Sequence, residues 1–218
     1  MLQFPASTQF GRRIPKQKFY EHLDVLPEVR QLFVEQIKTI TWTNKLSPQT
    51  MNIAPGEKVQ EIEVFRIHLT GSDLDIRVLN LVDRQIPYHL LFILERLDGT
   101  CQISVTYKKK GQVDDAFQLW QTYRTPWTAA DALSLDLSAL DMDALYESIV
   151  RQVAGDALSA APAGPVGEAI AQAQQRERLE KQIDALKGRM RWEKQLARQM
   201  ELRQEMKQLE KEFLENES

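Results

Sequence analysis

Apolar positions in the first third of the chain recur at helical spacing. Val29, Leu32, Phe33, Ile37 and Ile40 follow Pro27, which suits a first turn, and a shorter helical pattern opens in KFYEHL at about Lys16. Two helices are expected to open the domain. ITWTNKL then alternates, is rich in β-branched residues, and ends at Ser47-Pro48, which predicts a strand. In VQEIEVFRIHL (59–69) both alternating faces are apolar, Ile62 and Val64 on one and Phe65, Ile67 and Leu69 on the other, as in a central strand covered on both sides. Gly71, Ser72 and Asp73 read as a turn and cap before an amphipathic helix marked by Leu74, Val78, Leu81 and Val82, which stops short of Pro87.

YHLLFILERL is the most apolar strand pattern. Asp98-Gly99 is a tight hairpin signal, and TCQISVTYK returns with Cys101, Ile103, Val105 and Tyr107 alternating on one face. A loop carrying Lys108, Lys109, Lys110 and Gly111 is expected to lead to a further strand, FQLWQTYRT, ended by Pro126. LDMDALYESIVRQVAG predicts a helix capped by Asp141 and ended by Gly155. The pattern defines an α+β fold, with a mixed central sheet of about four to five strands and flanking helices over residues 1–154.

Small residues, Pro and Gly make 155–167 a flexible linker by composition, and 168–218 a helical arm free of Pro. In the arm, Leu179, Ile183, Leu186 and Met190 follow coiled-coil spacing, and so do Leu202, Met206, Leu209 and Phe213. At about 100° per residue the second stripe points roughly 150° away from the first, so one straight seam cannot use both. Either Gly188 breaks the arm into a hairpin, or one helix gives different faces to different partners. Both make the eight stripe residues candidates for protein contact or self-association.

Charge changes the picture locally. The net charge is −3, but residues 1–20 carry four bases and no acids, 21–154 carry 13 bases against 19 acids, and 155–218 carry 11 against 12. An acidic body makes a poor non-specific phosphate binder. Contact with DNA or an acidic partner is therefore expected to be local: at Arg12, Arg13, Lys16 and Lys18, or along the arm at Arg189, Arg191, Lys194 and Arg198, where Trp192 sits among the bases. The single cysteine, Cys101, leaves no intrachain disulfide and no thiolate set for structural zinc, which fits a cytoplasmic protein. The longest apolar run, LLFIL at 90–94, is far below the roughly 20 residues of a membrane span.

Signatures of common enzymes are missing: there is no G-x-S-x-G, P-loop, G-x-G-x-x-G or H-E-x-x-H. His22 falls on an expected helix, while His68 and His89 fall in or beside central strands, where a hydrogen-bonded structural role is the commoner one. A Mg²⁺-dependent nuclease of restriction-endonuclease type needs clustered carboxylates and a lysine near the attacking water. Glu61, Glu63, Asp73, Asp75, Glu95 and Lys108 are the available parts, but the expected acid-x-Lys is absent from TCQISVTYK, and Glu61 and Glu63 read as a solvent-facing edge.

The blocks FPAST, RIPKQKFYEHLDVLPEVRQLFVEQIKTITWTNKLSPQTMNI, EIEVFRIHL, IPYHLLFIL and LDMDALYESIVRQVAG together resemble, over about residues 2–157, a bacterial family known as domain of unknown function 4391. Such proteins commonly end in a polar helical tail, as this one does. Because genes of the family stand near DNA methyltransferases and helicases, the resemblance implies an accessory role in DNA restriction, modification or phage defence, with one of those enzymes as partner. It implies no catalytic residue. The expected function is a non-enzymatic, partner-binding accessory protein that uses no cofactor, with DNA contact as an addition. The alternative is the divergent nuclease, for which Mg²⁺ is the cofactor.

Overall fold

The computed structural model describes residues 2–21, 25–110, 117–159 and 164–215. His22, expected on the first helix, and Gly111 of the expected lysine loop lie outside the described residues. The chain divides into two compact units, Met1–Gly155 and Asp156–Ser218.

In the first unit, strand β1 (Gln9–Ile14) is followed by a 3₁₀ turn (Lys16–Phe19), helix α1 (Pro27–Gln36), strand β2 (Ile37–Leu46) and a one-turn helix α2 (Pro48–Met51). Strand β3 (Ile62–Leu69), helix α3 (Ile76–Gln85), strands β4 (His89–Glu95), β5 (Thr100–Lys110), β6 (Phe117–Arg124) and β7 (Thr128–Ala129), and helix α4 (Met142–Ala154) complete it. The seven strands form one mixed sheet in the order β1-β2-β3-β4-β5-β6, with β7 also on β5. Every pairing is antiparallel except β3 with β4, and α3 is the crossover that a parallel pair requires.

Both faces of the sheet are covered. Phe65, Ile67 and Leu69 of β3 and Leu90, Phe92 and Leu94 of β4 share a core with Phe33 of α1 and Val78, Leu79 and Val82 of α3. On the opposite face α4 buries Leu145, Tyr146, Ile149, Val150 and Val153. Tyr146 anchors that helix: its hydroxyl donates to the Thr106 carbonyl at 2.7 Å and accepts from the Lys108 amide at 3.3 Å, while its ring lies 4.2 Å from that of His89. Asp141 and Gly155 cap α4 at its two ends as the sequence predicts.

Three local expectations are corrected. The helix at Pro27 ends at Gln36, and Ile37 and Ile40 belong to β2. The run Ile37, Thr39, Ile40, Thr41, Thr43 is dominated by β-branched residues that fit a pleated surface better than a helix. Residues 9–14 form an edge strand that hydropathy alone did not reveal. Gly11, at φ 66°, sits in a register shift between Gln9 and Arg12, so a bulge and two arginines guard this edge against pairing with another chain. Lys108, Lys109 and Lys110 continue β5 rather than forming a loop.

In the second unit, a short helix α5 (Asp156–Ser159) occupies part of the expected linker. The arm is a hairpin of α6 (Val166–Trp192) and α7 (Leu196–Glu215), which pack against each other. Its break lies at residues 193–195; Gly188 is inside α6. The turn is held locally: Glu193 accepts the Gln195 amide at 2.9 Å, and the Gln199 side chain donates to the Glu193 carbonyl at 2.7 Å. Reversal near Lys194 explains the two out-of-phase stripes, since Leu179 and Leu209, Ile183 and Met206, and Leu186 and Leu202 stand at matching distances from the turn. Towards the open end, the guanidinium of Arg176 lies 5.0 Å above the Phe213 ring.

Candidate functional site

The residues expected to hold a metal fall into separate groups. Glu61 and Glu63 project from one face at the start of β3, the face carrying Phe65 and Ile67. Glu63 is opposite Lys45 of β2 and beside Leu90 of β4. Its side chain is not a solvent-facing edge group, as alternation had suggested: it is 2% exposed, with the Glu61 carboxyl and the Trp42 indole as its side-chain neighbours. Glu61 joins the ladder through its carbonyl, which accepts the His89 amide, and its carboxylate pairs with the Lys45 ammonium at 2.7 Å. Burial, then the neighbouring Glu61, pushes the Glu63 carboxyl up to about 8, so it holds a proton at neutral pH.

Asp73 and Asp75 lie beyond the far end of β3. Asp75 caps α3 by accepting the Arg77 amide, and the Arg77 guanidinium holds its carboxyl below the usual range. Asp73 faces Arg124 at 3.5 Å. Glu95 pairs with Arg66 at 2.7 Å and stands 3.5 Å from His68, roughly 17 Å along the strand from Glu63 and on the opposite face. Among the described residues no group of three or more His, Cys, Asp or Glu side chains gathers to hold a metal.

Lys108, the expected catalytic lysine, is structural. Its ammonium is buried against the Asp83 carboxylate at 3.1 Å and donates to the carbonyls of Asp83, Ile86 and Tyr88 at the C-terminal end of α3. Burial raises Asp83 and lowers Lys108, each against the charge of the other. His89 is buried and driven down to about 3, first by burial and then by the Lys108 charge, so its imidazole is neutral and too weak a base for catalysis near neutral pH.

The basic amino-terminal stretch also separates. Lys16 turns inward and donates to the carbonyls of Val34 at 3.0 Å and Ile37 at 2.7 Å, where α1 ends. A cation there complements the helix dipole, whereas at the start of a helix, where the sequence had placed it, it would oppose the dipole. Arg12, Arg13 and Lys18 remain exposed; Arg12 lies 5.6 Å over the Phe10 ring, which stacks on Trp42 at 4.0 Å.

The hairpin turn gathers what the sequence had spread over 17 residues. Lys187, Arg189, Arg191, Lys194, Arg198 and Arg203 come to one end of the second unit, against Glu193 and Glu201. Trp192, Leu196 and Met200 there are 86%, 73% and 66% exposed. Gly188, Arg189, Trp192, Arg198 and Leu202 line an open groove of ≈ 720 Å³. Away from the turn, Leu179, Ile183 and Leu186 are buried, and Met190, Leu202, Met206, Leu209 and Phe213 are half-buried. Among the described residues of this unit the turn carries three of the four exposed large apolar side chains, and Leu214 near the open end is the fourth.

Together the two units define a mixed-sheet α+β domain joined to a helical hairpin whose turn is basic and apolar at once. The chain belongs to the family described as Domain of unknown function (DUF4391), whose model matches residues 2–213 and so takes in the arm as well as the sheet domain. No curated protein and no solved structure matches it. Among the described residues no helix is long and apolar enough to cross a membrane.

Proposed function

We propose that this chain is a non-enzymatic accessory protein that docks on an acidic protein surface through the turn of its helical hairpin, within a bacterial DNA restriction, modification or defence assembly. The observation that carries the reading is the exposure of Trp192, Leu196 and Met200 amid six bases and two acids. Trp, Met and Arg are the residue types enriched in protein interfaces, and an apolar patch of this kind on a helical tip marks a contact site. The assembly itself rests on the family resemblance, which implies a DNA methyltransferase or helicase of the same locus as the partner. Direct DNA contact at the same bases is the lesser reading, since the rest of the chain is net acidic.

The test is co-expression with the neighbouring methyltransferase and helicase, followed by size-exclusion chromatography. Co-elution that is lost in a Trp192→Ala/Arg198→Glu variant supports the reading. Co-elution unchanged by that variant, or no co-elution with either enzyme, overturns it.

A further inference from the structure

We infer that the open edge of the sheet, where Phe10 and Trp42 stack beside Arg12 and Arg13, is a binding surface for single-stranded nucleic acid. This goes beyond the docking reading and involves the other unit. Arg12 is the cross-strand partner of Trp42, and Trp42 that of Phe65, so these three side chains leave one face of the sheet. On that face Phe65 sits in the core shared with α1 and α3, Trp42 is half-buried at its margin, and Phe10 is 42% exposed. The rings run outward in a row, Phe65 6.1 Å from Trp42 and Trp42 4.0 Å from Phe10, so the core ends at this edge in an aromatic pair open to solvent. The indole is held in place: its Nε1 donates to the Asn44 carbonyl at 3.0 Å, and the Asn44 side chain donates to the Thr8 hydroxyl at 2.9 Å. Rings fixed on paired strands are a platform on which unpaired bases stack.

The second observation is the charge around the rings. Arg12, Arg13 and Lys18 are exposed, and residues 1–20 carry no acid. Arg12 leaves the ring face, while Arg13, opposite Thr41, leaves the other, so cations flank the edge on both sides. The Arg12 guanidinium rests 5.6 Å over the Phe10 ring, a weak contact at an exposed site that a phosphate oxygen outcompetes. Glu63 beside the Trp42 indole holds its proton, and Glu61 is paired with Lys45, so neither cancels this charge. The occupant follows from rings and charge together. Three cations on an acidic body are too few for a duplex, which is held by many phosphate contacts, whereas stacking needs unpaired bases and supplies affinity without charge. An acidic peptide would use the arginines and leave the rings idle. The bulge at Gly11, which keeps another strand from adding to β1, leaves this edge to side-chain contacts.

The experiment is fluorescence anisotropy of a labelled oligothymidylate of about 20 nucleotides with the full chain, against a duplex of the same length and over a range of salt concentrations. Saturable binding is expected, tighter than to the duplex, with a log-log salt slope of roughly −2 for three phosphate contacts. Phe10→Ala is expected to weaken it about tenfold with that slope unchanged, Phe10→Tyr to restore it, and Arg12→Gln/Arg13→Gln to bring the slope to roughly −0.7. An oligouridylate of the same length separates RNA from DNA as the source of the strand, which is the one that binds more tightly. No saturable binding, a duplex bound as tightly, equal displacement by polyglutamate, or indifference to Phe10→Ala overturns the proposal. Trp192→Ala/Arg198→Glu is expected to bind the oligonucleotide as the parent does, so failure of the docking reading is read separately. Loss of binding in that variant would place the contact on the arm and overturn the proposal.

Discussion

The ammonium of Lys108 stands 3.1 Å from the carboxylate of Asp83, and neither side chain has any exposed surface. The pair ties β5 to α3, and the same ammonium serves the carbonyl of Asp83 in the last turn of that helix and those of Ile86 and Tyr88 just after it. A lysine that looks catalytic in a nuclease-like sequence is thus spent on holding the crossover helix to the sheet.

Removing one partner leaves the other charge buried and unpaired. Lys108→Met is expected to destabilise the domain by about 3–5 kcal/mol in urea unfolding, and Asp83→Asn by less, because the asparagine variant keeps the three carbonyl contacts. Equal losses would show that the carbonyl contacts add nothing.

Lys16 makes a second, milder cap. Replacing it by Gln removes two donors from the end of α1 and is expected to cost about 1 kcal/mol, seen as a small fall in Tm, whereas Lys18→Gln, at an exposed position, leaves Tm unchanged.

Glu63 makes stability fall as pH rises. Below the ordinary value of 4.5 both folded and unfolded chains hold the proton and there is no penalty. Between 4.5 and about 8 the unfolded chain releases it while the folded chain keeps it, so the penalty grows, and above 8 it is constant. The stability of Glu63→Gln relative to the parent should rise between pH 4.5 and 8, by on the order of 5 kcal/mol at most. A difference that stays flat with pH would mean that Glu63 is ionised in the fold at neutral pH.

The hairpin separates packing from docking. Leu186→Ala removes a buried side chain and is expected to cost about 2–5 kcal/mol, lowering the helical circular dichroism signal on mild heating. Trp192→Ala, at an exposed position, should leave that signal unchanged while weakening partner binding. Loss of helicity in the Trp192 variant would mean that the turn depends on its ring.

Much of the framework is legible in the chain because it rests on local patterns. The two-sided apolarity of β3, the Asp98-Gly99 hairpin and the Asp141 and Gly155 caps of α4 each need only neighbouring residues to be recognised, and each stands where the sequence puts it. The end of α1 was lost because helical spacing and β-branching overlap across Ile37 and Ile40, and pairing with β3 settles the matter. Strand β1 was lost because an edge strand needs no apolar face.

By itself, the sequence determined an α+β sheet domain, a helical arm with two out-of-phase stripes, and a clustering of bases in the arm. Only the tertiary structure decided what the charges do. Lys16 and Lys108 cap helices that are distant in sequence, Glu63 is buried opposite Lys45, and the bases of the arm meet Trp192, Leu196 and Met200 at one turn. The physical reason is that charge carries no periodicity. Whether a lysine is solvated, paired or capping depends on which backbone ends and carboxylates the fold brings within about 3 Å of it, and that is a property of long-range contacts.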